Sequence, residues 1–305
     1  MGAFLLRRLL ATIPLLLAIL ALSFLFMRSA PGGPFDSERS VPPQVEQSLR
    51  AKYHLDEPLH TQFLRYMGGV LHGDLGPSFK YQSRTVNEII AQAFPVSLTL
   101  GALGLAISLV IGIPAGVFGA VYRNRPADYG IMSLSLLGIS IPNFVIGPLL
   151  IIVFCFTLGW LPAGGWGAVN QMILPAITLG ALRAAYIARL MRAGMLEVIH
   201  QDFIRTARAK GLPERTVIGK HGLRVGILPV VTYLAPATAS ILVGSIVVER
   251  IFDIPGLGTF FVNSALNRDY TMAMGTVLLY STILITLNLL VDVLYAALDP
   301  RVELR

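Results

Sequence analysis

Three local patterns in this 305-residue chain could carry chemistry. Ser140 stands in Gly138-Ile-Ser140-Ile-Pro142, where a Gly-x-Ser-x-Gly elbow would hold a reactive hydroxyl on a strained turn. Pro142 replaces the final glycine and no histidine is near to serve as base, so acyl-transfer chemistry is not expected. A phosphate loop needs Gly-x-x-x-x-Gly-Lys and then Ser or Thr; Gly219-Lys220 is followed by His221, so nucleotide must bind elsewhere. His54, His60, His72, His200 and His221 have no zinc-ligand spacing. The single Cys155 lies in the apolar run 151–154 and its continuation, as a small buried side chain with no partner for an intrachain disulfide. The chain reads as a non-enzyme that holds no metal.

One charge is harder to dismiss. Arg183 falls about 11 residues into an apolar run, near the bilayer middle, where charge is expensive and functional by default. It could attract a carboxylate in a wet vestibule or pair internally with an acid such as Asp292. Arg189 and Arg192, nearer the end of the run, are expected to snorkel to the interface. A proton-coupled carrier would need a relay of carboxylates or histidines, but only Asp292 is clearly intramembrane, so that rival is disfavoured.

The elements that must position these residues follow from composition. Hydrophobic residues make up 54% of the chain and charged residues 13%, and the mean hydropathy is +0.69. A soluble core of this size would need far more polar surface, so the bilayer acts as solvent. Unbroken apolar runs of helical length argue for helices rather than an alternating membrane barrel. Runs at 9–28, 96–121, 130–158, 172–192, 227–248 and 274–297 give about six spans of about 20 residues each. The first is too long for a signal peptide core and is read as a retained anchor.

The formal charge of +7 points to topology rather than to nucleic acid. Arg7, Arg8, Arg123, Arg125 and the basic cluster at 205–224 share one side, which makes both termini cytoplasmic. The long segment 29–94 then lies outside, with a short helix from about Val45 to Tyr53 after Pro42-Pro43. The expected division is an anchor with an extracytoplasmic segment over 1–94 and a core of five spans over 95–305. Gly104, Ser108, Gly112, Gly116 and Ala120 recur every fourth residue as a small-residue ridge, suited to close helix packing, for example against a second subunit. Pro142 and Pro236 should interrupt helix hydrogen bonding, as static kinks or beside a wet cavity.

The most informative stretch is His200-Gln-Asp-Phe-Ile-Arg-Thr-Ala-Arg-Ala-Lys-Gly-Leu-Pro213. Phe203, Ile204, Ala207 and Gly211 share one face of a short helix, with Arg205 and Arg208 on another. The apolar face could enter a partner's groove, or rest on anionic lipid. This stretch resembles the cytoplasmic coupling loop of ABC importer permeases, with Gly211 at the family's glycine and Arg205, Thr206 and Ala207 where Glu-Ala-Ala is general. Arg205-Thr-Ala-Arg-Ala-Lys-Gly211 is the form usual in the dipeptide, oligopeptide and nickel branch. That branch is also resembled by Ser140-Ile-Pro-Asn-Phe144, Glu249-Arg-Ile-Phe-Asp-Ile-Pro-Gly-Leu-Gly258, Asn267-Arg-Asp-Tyr270 and Asp292-Val-Leu-Tyr-Ala-Ala-Leu-Asp-Pro300. Leu75-Gly-Pro-Ser-Phe-Lys-Tyr81 and Tyr53-His-Leu-Asp56 are most similar to its oligopeptide members.

The resemblance implies an all-α type I ABC importer fold in a bacterial inner membrane. It implies a homologous second permease, two cytoplasmic ATPases that bind ATP and Mg, and an external peptide-binding protein, with no cofactor on this chain and no nucleic acid. Phe203, Arg205, Thr206, Ala207, Arg208, Lys210, Gly211 and Leu212 would form the ATPase-coupling loop. A peptide path should offer uncharged hydrogen-bonding groups, for which Ser140, Asn143, Tyr233, Thr238, Ser245, Tyr280, Thr282 and Asn288 are candidates beside Arg183. Such residues equally bond their own helix carbonyls. A dipeptide or nickel permease is the alternative within the branch.

Overall fold

A computed structural model describes residues 2–29, 43–81 and 83–298. The described residues are helical apart from turns and one isolated bridge between Pro77 and Thr85. Four helices are long and apolar enough to cross a membrane: α1 (Gly2–Ser29), α4 (Val86–Val121), α7 (Val169–Val198) and α13 (Tyr270–Leu298). Between α4 and α7, the run expected to form one span is two helices, α5 (Pro126–Ser140) and α6 (Asn143–Leu150), the latter prolonged by a π-helical stretch, Ile151–Thr157. They meet at 107°. The break falls where chain chemistry demands it: Ile141 precedes Pro142 and is extended at φ −91°, ψ 119°, because a proline ring excludes helical geometry from the residue before it. Pro236, by contrast, lies inside the continuous helix α11 (Leu228–Ile251), which occupies the position of the fifth expected span.

The chain divides into two compact units, Met1–Val96 with Pro255–Leu289, and Ser97–Ile254 with Leu290–Pro300. In the second, the small-residue ridge of α4 packs on α7 of the same chain. A Cβ on Gly112 would lie 2.7 Å from the Ala184 carbonyl, and one on Gly116 would lie 2.5 Å from both the Ala188 carbonyl and Met191 Cβ. Gly104, Ser108 and Ala120 are buried along the same ridge, with Leu179 against Gly104. The ridge is thus consumed within this subunit rather than left for another, because glycine lets two helix backbones approach to carbonyl contact.

Arg192 gains a partner that its place in the run does not reveal. Its head is anchored rather than free: Nε donates to Asp128 Oδ1 at 2.6 Å and Nη2 to Oδ2 at 2.7 Å, a bidentate pair between α7 and α5. Asp128 is 2% exposed and also accepts the Asn124 N–H at 3.0 Å, which fixes the turn leading into α5.

The first unit contains α1, α2 (Pro43–Lys52), α3 (Leu59–Leu71), the start of α4, α12 (Leu257–Leu266) and most of α13, as far as Leu289. The helix α2 begins at the expected proline signal. Val86, Ile89, Ala93, Leu257 and Met272, from α4, α12 and α13, form the buried apolar centre of the unit. Asp269 caps α13, accepting the Met272 N–H at 3.1 Å, while the neighbouring Thr271 hydroxyl donates to the Pro77 carbonyl at 2.5 Å. Asp269 also accepts the Ser78 hydroxyl and, at 3.2 Å, the Lys80 N–H. Two segments singled out in the sequence, 75–81 and 267–270, are therefore stitched together by one carboxylate. Replacing Asp269 with alanine should strand several of these donors at a site 1% exposed, destabilising the unit by about 1–3 kcal/mol. Limited proteolysis within 75–85 reads this out, with faster cleavage expected.

Candidate functional site

The basic segment between α7 and α11 forms a compact helical elbow. It runs through α8 (Asp202–Ala209), α9 (Glu214–Thr216), a π-helical turn (Val217–Gly222) and α10 (Leu223–Gly226). Ile204 and Ala207 are buried at 0% and 6% exposure, packed with Val198 and Val217. The apolar face read from sequence therefore serves mainly to fasten α8 to its own chain. Phe203 and Leu212 are exposed, as are Arg205, Thr206, Arg208, Lys210 and Gly211. The surface left for a partner is two apolar side chains among cations, not the Ile204 and Ala207 stripe. The hydroxyl of Thr206 donates to the Asp202 carbonyl at 2.9 Å.

The end of α8 explains its glycine. Gly211 N–H donates to the Arg208 carbonyl at 2.9 Å and Leu212 N–H to the Ala207 carbonyl at 3.4 Å, the paired bonds of a Schellman cap. Gly211 supplies the left-handed turn at φ +76°, and a Cβ there would meet nothing within 4 Å of this chain. Backbone conformation, rather than close approach inside the subunit, requires the glycine. Arg208 grips Glu214 with Nη2 to Oε1 at 2.7 Å and Nε to Oε2 at 3.2 Å, tying α8 to α9. The guanidinium holds the Glu214 carboxyl below its usual range, chiefly through these bonds, and the carboxylate in turn raises Arg208.

The elbow is seated tightly on α7. A Cβ on Gly194 would lie 2.3 Å from the Gly226 carbonyl, and one on Gly226 would lie 2.7 Å from Met195 sulfur. Ile204, Val217 and these glycine contacts pack the segment directly against the end of α7.

Arg183 is 6% exposed within α7. Its Nη1 donates to the Leu179 carbonyl at 3.0 Å and its Nη2 to Ser240 Oγ at 3.1 Å. Ser240 was not singled out in the sequence, since a lone serine in an apolar run carries no signal until a partner is seen. Arg183 Nε is buried with no hydrogen-bond partner among the described residues. The side chain of Asp292, the acid named as an internal partner, lies outside those described. One turn beyond Arg183, Tyr186 stacks on Tyr233 with ring centres 5.9 Å apart. Arg183, Ser240, Tyr186 and Tyr233 join α7 to α11 by polar and aromatic contacts.

The other expected path residues are more ordinary. Ser140, Thr238 and Thr282 donate their hydroxyls to the carbonyls of Leu136, Leu234 and Leu278, four residues back in their own helices. Asn143 is half-buried at the α5–α6 break, its Oδ1 without a hydrogen-bond partner among the described residues. Ser245 is buried, Tyr280 is half-buried beside Phe261, and Asn288 is exposed. Among the described residues no three histidine, cysteine or acidic side chains gather as a metal site.

Comparison with known proteins bears on what such a helical frame does. Residues 112–304 match the family model described as the inner membrane component of binding-protein-dependent transport systems, and residues 1–101 match the model of its N-terminal region. The chain is 48% identical over 302 residues to the oligopeptide transport system permease protein OppB of Haemophilus influenzae, covering 98% of this chain and 99% of that one. The Salmonella typhimurium OppB gives the same identity and coverage. The dipeptide transport system permease protein DppB of Bacillus subtilis is 45% identical over 304 residues, 100% of this chain and 99% of that one. Among solved structures, the MetNI methionine ABC transporter in an inward-facing conformation superposes with a TM-score of 0.58 at 18% identity, over 69% of this chain and 96% of its own.

Proposed function

From the premise that this chain belongs to the family of inner membrane components of binding-protein-dependent transport systems, we propose that it is the membrane-spanning subunit of an ATP-driven oligopeptide importer. The observation that carries this reading is 48% identity to oligopeptide permeases along nearly the whole chain. The helical architecture is that of a type I ABC importer permease, and the multi-pass chain resides in the inner membrane. A dipeptide substrate is the second reading, favoured by the 45% identity to a dipeptide permease.

In this reading the chain hydrolyses nothing. A homologous second permease completes the path, two ATPase subunits bind ATP and Mg on the cytoplasmic side, and a binding protein delivers peptide from the other. The elbow at 200–226 faces the ATPases: Phe203 and Leu212 offer apolar contact, while Arg205, Thr206 and Lys210 surround them with polar groups. Ala207 and the Arg208–Glu214 pair hold that surface in shape. Closure of the ATPases is transmitted to α7 because the elbow is packed on it without slack. Arg183, joined to α11 through Ser240, is the cation that a peptide carboxylate would seek when the path opens. Tyr233, Thr238, Ser245, Asn143, Ser140, Tyr280, Thr282 and Asn288 remain candidates for the uncharged remainder of the path.

The direct test is reconstitution with the co-purifying subunits in lipid, measuring ATP hydrolysis with and without loaded binding protein. Stimulation by oligopeptides supports the reading; stimulation by dipeptides alone selects the second; transport driven only by a proton gradient removes both. Within that assay Gly211→Asn should retain most coupling, since asparagine tolerates the left-handed turn. Gly211→Val should uncouple hydrolysis from uptake, because a left-handed conformation costs a side chain about 1–2 kcal/mol and a β-branched one at least as much. Normal coupling in Gly211→Val would remove the elbow as the ATPase contact.

A further inference from the structure

Three sequence segments to which the proposed transport cycle assigns no role, Tyr53-His-Leu-Asp56, Leu75-Gly-Pro-Ser-Phe-Lys-Tyr81 and Asn267-Arg-Asp-Tyr270, converge in the first unit on a cavity of about 370 Å3. Its walls are aromatic, with Tyr53 and Phe79 rings 4.7 Å apart and Phe79 and Tyr270 rings 6.1 Å apart. Arg28 enters it between rings, its guanidinium carbon 4.3 Å from the Tyr270 centroid and 5.5 Å from that of Phe24. The guanidinium is held by the amide oxygen of Gln62, yet its Nε has no hydrogen-bond partner among the described residues, nor does the Tyr66 hydroxyl on the same wall.

Asp74, the one acid among the described residues of the lining, accepts the Gly76 N–H at 2.9 Å; Glu57, outside the lining, pairs through Oε1 with Arg65 at 2.7 Å. Arg28 therefore has no carboxylate partner among the described residues, and Lys52 adds a second cation to the lining.

Depth identifies the occupant. Arg28 is the penultimate residue of the Leu10–Ser29 span and Tyr270 the first residue of the Tyr270–Leu290 span, so the cavity sits where hydrocarbon gives way to headgroups. A second cleft of about 350 Å3 shares Tyr270 and is lined by Phe26 and Met27 of α1, Ala273 and Val277 of α13, and Phe261 of α12, with Arg268 as a further cation on its wall. A cationic, aromatic chamber at headgroup depth, bordered across the Tyr270 side chain by a mainly apolar groove, matches one molecule with a charged head and a hydrocarbon tail.

We propose that this composite site in the first unit binds an anionic phospholipid, its phosphate on Arg28 and an acyl chain along the α1–α13 groove. The proposal needs only that the chain spans a membrane, and stands apart from its substrate. The Tyr66 hydroxyl, whose ionisation burial pushes well above the ordinary tyrosine range, stays a donor to the head at any physiological pH.

Native mass spectrometry of the full chain with its co-purifying subunits, extracted gently and incubated with vesicles of phosphatidylglycerol or phosphatidylcholine, tests this. One phosphatidylglycerol should be retained in preference to phosphatidylcholine, and Arg28→Gln should lower its occupancy about tenfold, as loss of a charge-assisted bond does. Val277→Trp, which fills the groove while leaving Arg28 and Gln62 in place, should do the same, and guards against misfolding of the arginine variant. Arg250→Gln, exposed in the last turn of α11 and outside the lining of either cavity, should change nothing. Equal retention of both lipids, or retention unaffected by both variants, overturns the proposal. So does displacement of the bound species by inorganic phosphate or by peptide, which would identify a free-anion or peptide site.

Discussion

Asp128→Ala is expected to deplete the folded protein, costing about 3 kcal/mol, the lower end of the range for removing one partner of a buried ion pair. The lower end applies because Arg192 keeps 24% exposure while Asp128 has 2%. The loss is not the strength of the pair but the state it leaves behind. Arg192 would face the vacated α5 position with two donors unmatched, and the Asn124 N–H would lose its acceptor at a turn where Asn124 already has φ +60°. Fluorescence-detected size-exclusion chromatography after a temperature ramp gives the measurement. A lower melting midpoint is expected for Asp128→Ala, with partial recovery in the Asp128→Leu, Arg192→Met double variant, since two apolar groups of similar size leave no stranded charge. A single variant as stable as the parent would show that water screens the pair.

Gly116→Leu should have an effect at least as large. Its Cβ would fall 2.5 Å from the Ala188 carbonyl and from Met191 Cβ, and 3.0 Å from the Arg192 backbone nitrogen. Two of those three atoms are backbone and cannot rotate away, so α4 must withdraw from α7. Overpacking ordinarily costs about 1–3 kcal/mol and occasionally more, and separating two helices belongs in the upper part of that range. Withdrawal would also disturb the Arg192–Asp128 pair, because Gly119 on the same face lies against both side chains. Gly130→Leu is the matched control: it lies in the helix α5 with nothing within 4 Å of its Cβ. Loss of monodisperse protein for Gly116→Leu and not for Gly130→Leu is the expected pair of results; equal behaviour would mean that α4 and α7 are not in backbone contact.

These two residues show where sequence reasoning succeeded and where it stopped. The four-residue spacing of the ridge identified a close-packing surface, because that spacing is a property of one helix. Its partner is a property of the fold, and the ridge meets α7 of the same subunit. Asp128 carries no local signal, being one acid at the start of an apolar run, and becomes a structural centre only when α7 brings Arg192 to it. The elbow behaves likewise. Periodicity located α8 and its apolar stripe, but Ile204 and Ala207 are buried at home, and Gly211 has a reason inside the chain, the left-handed cap that ends α8.

What the amino-acid sequence determined by itself was everything set by local or compositional physics: a helical chain solvated by lipid, the approximate spans, the elbow and a family resemblance along nearly the whole length. Tertiary structure alone decided which faces are spent within the subunit and which polar groups meet. Arg183 with Ser240, Asp269 with Ser78, and Arg28 with Tyr270 are separated by 57, 191 and 242 positions, and no helical period relates positions so far apart. A single span has polar and apolar faces that its own sequence can rank. Whether a face meets another helix, a lipid or a partner depends on the free energy of the whole packed arrangement, and that is settled only when the helices assemble.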